Sequence, residues 1–131
     1  MRVKHLYCDP DGISHIGELE IALASSDYAP PAPAFDLSAP MPVSRVLLSE
    51  MPVGWFGDWH PSPARQLYVA MAGELEVVVS DGSRLLVRAG DVVLVADTFG
   101  PGHTTRVLGD EPARGAFIHL VDEGCHLAGE G

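Results

Sequence analysis

Six histidines, at positions 5, 15, 60, 103, 119 and 126, are the residues of this chain best suited to chemistry near neutral pH, because imidazole titrates there and ligates metals. Around one of them the chain reads Trp55-Phe56-Gly57-Asp58-Trp59-His60-Pro61-Ser62-Pro63-Ala64-Arg65-Gln66-Leu67-Tyr68. Alternate side chains of a strand share a face, so His60, Ser62, Gln66 and Tyr68 would meet on one side, with Pro61 and Pro63 interrupting the alternation near His60. His103 follows Gly100-Pro101-Gly102 and reaches the same place only if the sheet closes on itself. His119, inside the apolar run Ala116 to Leu120, reads either as a pocket acid or base, as Tyr68 does, or as a hydrogen-bonded core residue. His5 and His126 near the termini read as structural, and His15 as an edge-strand residue after the turn-like Asp11-Gly12. Gln66 reads either as a neutral oxygen donor or as a buried amide bonded to Tyr68 or His60. Trp55, Phe56 and Trp59 are candidates for a rim that selects an apolar ligand, or plain core; Arg65, of opposite parity to Gln66, is expected on the surface or at an interface rather than clamping a substrate.

The elements that would position these groups read as β. Val, Ile, Leu, Thr and Tyr are concentrated in Ile13–Leu23, Val43–Met51, Gln66–Met71, Glu74–Ser80, Arg84–Arg88, Asp91–Asp97, Thr104–Leu108 and Gly115–Val121, about eight strands separated by Gly and Pro. Asp81-Gly82 between two such runs supplies the positive φ of a tight turn and makes Glu74–Arg88 a hairpin. Tyr28–Pro42, with five prolines, can neither continue a ladder nor form a helix; it is expected to cross the surface as an extended arm, with Phe35, Leu37 and Met41 packing on its own barrel or on a partner subunit. The tail, Asp122–Gly131, is polar and Gly-rich and is expected to fray.

Composition bounds the rest. With 131 residues, 47% of them hydrophobic, the chain suffices for one core and not for two ordinary domains. Eight Lys and Arg against eighteen Asp and Glu give a net charge of -10, which argues against nucleic acid as a partner. No apolar run approaches the roughly 20 residues that span a bilayer, and Met1-Arg2-Val3-Lys4-His5 does not open a secretory signal, so the expected location is the cytoplasm. Cys8 and Cys125 form no CxxC pair and are expected to be separate reduced thiols.

In this region the sequence resembles the cupin family, whose first motif is written G-x5-H-x-H-x3-E-x6-G and whose second is G-x5-P-x-G-x2-H. Gly54, His60 and Gly73 keep the frame of the first, with Ser62 in its second histidine position and Gln66 in its glutamate position. Gly90, Gly100 and His103 follow the second, with two extra residues and no proline in the proline position. The resemblance covers about residues 44 to 121, and the chain is also similar to small single-domain bacterial cupins through Asp58-Trp59-His60-Pro61 and Arg65-Gln66.

That resemblance implies an all-β, single-domain, antiparallel jelly-roll barrel over 1–131: N-terminal strand and Pro-rich arm 1–43, barrel core 44–121, tail 122–131. It implies a homodimer through sheet edges and the arm. It also implies a pocket in which His60, Gln66 and His103 hold one divalent cation, iron, zinc, manganese, nickel or copper, with Ser62 a weak hydroxyl donor and Asp58 a carboxylate of suitable parity. In that pocket His119 or Tyr68 would move a proton, and Trp59, Ser62 and Phe56 would contact the substrate. Without the glutamate, lyase, isomerase or cyclase chemistry fits better than a non-haem iron dioxygenase, since an anionic ligand helps stabilise higher-valent iron. The alternative is a metal-free pocket in which His60, Gln66 and His103 bind a ligand or act as acid and base, as a sensor or a cyclase.

Overall fold

The computed structural model describes residues 1–121; the expected fraying tail, with Cys125 and His126, lies outside the described residues. Short β-rich segments between Gly and Pro turns form β1 (Arg2–Cys8), β2 (Ser14–Glu20), β3 (Ala24–Ser26), β4 (Phe35–Leu37), β5 (Val43–Met51) and β6 (Phe56–His60). They continue as β7 (Gln66–Ala72), β8 (Glu74–Val79), β9 (Arg84–Arg88), β10 (Val92–Ala96), β11 (His103–Leu108) and β12 (Ala113–Leu120). The eight expected strands correspond to β2, β5 and β7 to β12. Four more are present: β1 carries Arg2, Lys4 and His5 without clean alternation, β3 and β4 have three residues each, and β6 lies in the Gly- and Trp-rich segment taken as loop.

The strands make two stacked sheets, six in the order β2-β1-β10-β7-β12-β5 and four in the order β6-β11-β8-β9, while β3 and β4 pair only with each other. This is a jelly-roll sandwich that does not close into a continuous barrel: β5 and β6 end their sheets unpaired on one side. All pairs are antiparallel except β1 with β10, a parallel pair. The expected hairpin is β8–β9, turning through Asp81 and Gly82, whose φ is 90°.

Alternation sorts the side chains of the larger sheet. Leu6, Tyr68, Val93 and Val95 face the smaller sheet and meet Leu75, Val77, Val79 and Val87 in the main core. Val3, Leu19, Leu94 and Leu120 form a second cluster with Ile21 and Met41, the two ends of the arm. β10 contributes to both clusters, which is why Val92–Ala96 is a continuous apolar run rather than an alternating one.

Candidate functional site

Between the sheets lies a cavity of about 380 Å3. Its walls are mostly apolar, with Leu6, Val77, Val87, Val93 and Val95 inside and Leu47, Met51 and Trp55 from the β5 and β6 side. Its polar lining is His60, Ser62, Gln66, Tyr68, His103, Thr105 and His119, and among the described residues no Asp, Glu, Lys or Arg lines it.

The register explains how residues distant in sequence meet. His103 on β11 pairs across from His60 on β6, and their rings lie 5.0 Å apart. Gly102 makes this approach possible: at φ 76°, it passes so near the His60 carbonyl that any Cβ would collide with it. On the larger sheet, His119 of β12 pairs across from Gln66 of β7. Ser62 closes the group: Gln66 Nε2 donates to Ser62 Oγ at 3.2 Å, and Ser62 Oγ donates to the Ala64 carbonyl at 2.6 Å. The amide therefore bonds neither to Tyr68 nor to His60, the partners considered from sequence.

Behind His103 stands a residue that sequence reasoning missed. Asp97, directly after β10 and fully buried, accepts from His103 Nδ1 at 2.7 Å and from Ser14 Oγ at 3.0 Å, both through Oδ2. Its backbone carbonyl accepts from the Ser62 amide at 2.9 Å. A carboxylate only accepts, so it holds the His103 proton on Nδ1 and leaves Nε2 for a molecule in the cavity. His60 is arranged alike, with Nδ1 donating to the Pro61 carbonyl at 2.9 Å. The signal in the sequence was an acid closing the run Val92–Ala96, where a sixth apolar residue would have continued the strand.

Tyr68 lies in the cavity wall with its ring centroid 4.9 Å from that of Phe117. Burial pushes its hydroxyl above the ordinary 10.0, so it keeps its proton and acts as a donor rather than a base. Gly115 makes room for it, since a Cβ there would stand 2.5 Å from the phenol oxygen.

Other candidates are placed elsewhere. Phe56 and Trp59 are about half exposed and do not line the cavity; Phe56 lies under the Arg106 guanidinium, 5.3 Å away. Asp58 is exposed too, and its Oδ1 accepts from the Trp59 amide. The pairing of β6 with β11 shifts register between His103 and Thr105, so parity with His60 does not carry Phe56 and Asp58 inward. Trp55 is the aromatic residue of this segment that lines the cavity, its ring packed over Gly57.

No family model matches the chain, and no curated protein matches it. Among solved structures it is similar to the cupin domain of Cnp3 from Schizosaccharomyces pombe, with 18% identity and a TM-score of 0.50, over 93% of this chain and 83% of that one. The chain has the cupin fold. Protein NMB1881 from Neisseria meningitidis is also similar, with 20% identity and a TM-score of 0.44 over 58% of this chain and 72% of that one.

In this structure, His60, Ser62, Gln66 and His103 stand together around one cavity. A divalent cation there would meet the two imidazole Nε2 atoms and the Gln66 amide oxygen. Both rings are anchored through Nδ1, as metal-ligating histidines are, and the Gln66 nitrogen is engaged by Ser62. All three donors are neutral, and no group of three His, Cys, Asp or Glu that could hold a metal occurs among the described residues. The set therefore fits a cation held through neutral ligands, more weakly than one that includes a carboxylate. No helix of the structure is long and apolar enough to cross a membrane.

Proposed function

We infer that this cupin takes a neutral, mainly apolar small molecule into the cavity and converts it by acid–base chemistry of the isomerase, cyclase or lyase kind. The observation that carries this reading is the contrast in the lining: apolar walls to which the described residues bring no formal charge, and one polar cluster in which imidazoles stand side by side. An anion would enter without a cation to meet it, and would lose its hydration. A neutral molecule fills the walls and directs its carbonyl or hydroxyl to His60, Gln66 and His103. His103 is the base or acid, because Asp97 fixes its tautomer and would stabilise the imidazolium formed when Nε2 takes a proton. Gln66 and Tyr68 donate or accept hydrogen bonds to orient the substrate, and His119, across from Gln66, is the second titratable group within reach. In this reading the protein is cytoplasmic and its ligand is a small molecule, with neither nucleic acid nor membrane as partner.

A second reading rests on the anchored Nδ1 atoms of both rings: His60, Gln66 and His103 hold one divalent cation, which as a Lewis acid would polarise the same carbonyl or hydroxyl. The chain's own residues keep their tasks, with the apolar walls excluding water and His119 or Tyr68 serving the proton.

Two measurements test these readings. Titration with 2-naphthol, followed by the NMR signals of the His60 and His103 rings, is expected to saturate, while 2-naphthoate leaves them unmoved; equal binding of the anion removes the neutral-ligand reading. Elemental analysis after reconstitution with iron, zinc, manganese, nickel and copper, alongside His60→Ala and His103→Ala, decides the metal. A near-stoichiometric ion lost in both variants establishes the second reading, and no ion under any condition removes it.

A further inference from the structure

Register grades the cavity along its length in both sheets. On the larger sheet the pair Gln66 and His119 is followed along β7 and β12 by Tyr68 and Phe117, and then by Ala70 and Gly115. On the smaller sheet β11 passes from His103 through Thr105 to Val107. Past Tyr68 the lining comes from Leu75 and Val87, core residues beside the corner where β7 turns through Gly73 into β8. The Tyr68 hydroxyl is carried toward this apolar end. Its side chain leans away from Gln66 and over Gly115, where the phenol oxygen lies 2.5 Å from the place a Cβ would occupy. Tyr68 is 4% exposed and lines the cavity, and among the described residues its hydroxyl makes no hydrogen bond. A phenol taken out of water either finds a partner or costs free energy, so this one lacks what the cavity is built to hold.

We propose that Tyr68 is a specificity-determining residue whose hydroxyl holds a second oxygen function, so that the ligand is a neutral ring compound about two fused rings long with a carbonyl or hydroxyl at each end. This rests on the neutral-ligand reading given above and narrows it. Gly115 and His119 are four residues apart on β12, so at about 3.4 Å per residue the row beneath the phenol oxygen stands about 13 Å from the row of the imidazole cluster. Two fused rings with an oxygen at either end, and a hydrogen bond beyond each oxygen, cover that span; a ligand with one oxygen leaves one pole unserved. Between the poles the rings of Tyr68 and Phe117, tilted at 51°, offer a face and an edge to a ring system. The poles have different tasks. His103, backed by Asp97, exchanges a proton, whereas Tyr68 keeps its own because burial raises its phenol, and it only holds.

The test is titration of the full chain with 2-naphthol, naphthalene-2,6-diol and naphthalene-2,3-diol, followed by the NMR signals of the His60 and His103 rings. In the unaltered protein the 2,6-diol, with its oxygens at opposite ends, is expected to bind at least about fivefold more tightly than 2-naphthol and than the 2,3-diol, whose oxygens share one end. In Tyr68→Phe, which removes no hydrogen bond of the fold and whose folding circular dichroism confirms, the preference for the 2,6-diol over 2-naphthol is expected to vanish. A 2,6-diol that binds the unaltered protein no more tightly than 2-naphthol or the 2,3-diol overturns the proposal while leaving the neutral-ligand reading in place. So does a preference that Tyr68→Phe retains. If none of the three binds, the neutral-ligand reading itself falls and the proposal falls with it.

Discussion

Two histidines of this protein are held by carboxylates, and they are held differently. His15, the second residue of β2, places Nδ1 2.8 Å from Asp81 and Nε2 2.7 Å from Asp9, with all three side chains partly exposed. Both partners only accept, so the ring serves both by carrying two protons. His103 meets one carboxylate, from a fully buried Asp97, and keeps its other nitrogen for the cavity. The first is a clasp joining the β1–β2 turn to the β8–β9 turn; the second is a group poised to exchange a proton. What separates them is whether the protein has used both nitrogens, and the two are adjacent, because Ser14 beside His15 is the residue that donates to Asp97.

The largest effect is expected at the buried member. Asp97→Ala removes the acceptor of two hydrogen bonds and leaves Ser14 and His103 unsatisfied, at a cost on the order of 2–4 kcal/mol. Urea unfolding measures it, and a variant within a few tenths of the unaltered protein would show that the network carries no stability. Gly115→Ala sharpens the comparison by loading the cavity wall without touching either carboxylate. Its Cβ would press on the Tyr68 ring, an overpacking expected to cost about 1–3 kcal/mol and to displace Tyr68, seen as altered 2-naphthol binding. Unchanged stability and binding would mean that the ring moves freely.

The smallest effect belongs to the clasp, and its sign follows from the charges. The hydrogen bonds of Asp9 and then Asp81 raise His15 above its ordinary 6.5. The reciprocal bond from His15 lowers Asp9, while Ser83 foremost, and His15 after it, lower Asp81. The His15 contribution is therefore full below about pH 6.5 and lost as pH rises through its raised value. The aspartate contribution is present above about pH 3.8 and lost as pH falls through their lowered values. The melting temperature of the unaltered protein should fall relative to His15→Gln as pH rises above about 6.5, and parallel profiles would mean that His15 carries no such charge-dependent contribution. His5 is expected to titrate oppositely, below 6.5, through burial first and the nearby Arg65 charge second.

Much of this was legible in the sequence, for identifiable reasons. Strands β5 and β9 were readable to the residue because apolar composition and turn signals bound them on both sides. Gln66 and Tyr68 were readable as one face because one strand of regular alternation carries both, and His60 and Ser62 shared their parity. Phe56 and Asp58 were not placeable, because a register shift is a property of two strands together and leaves no mark on one. Asp97 escaped for a related reason: its partners Ser14 and His103 lie 83 and 6 positions away, and only the stacking of the sheets brings them to it. The arm was expected to pack on its own barrel or on a partner; its two ends, Ile21 and Met41, pack on its own body, and its ribbon pairs only with itself.

The unpaired edges of β5 and β6 have a mechanical consequence. On one side the two sheets are fastened by the His15 clasp and by the Ser14, Asp97 and His103 bonds, which cross from one sheet to the other. On the opposite side no ladder joins β5 to β6, and Leu47, Met51 and Trp55 line the gap. The sandwich is thus built like a book with a stitched spine and a loose fore-edge, and the stitching is what fixes His103.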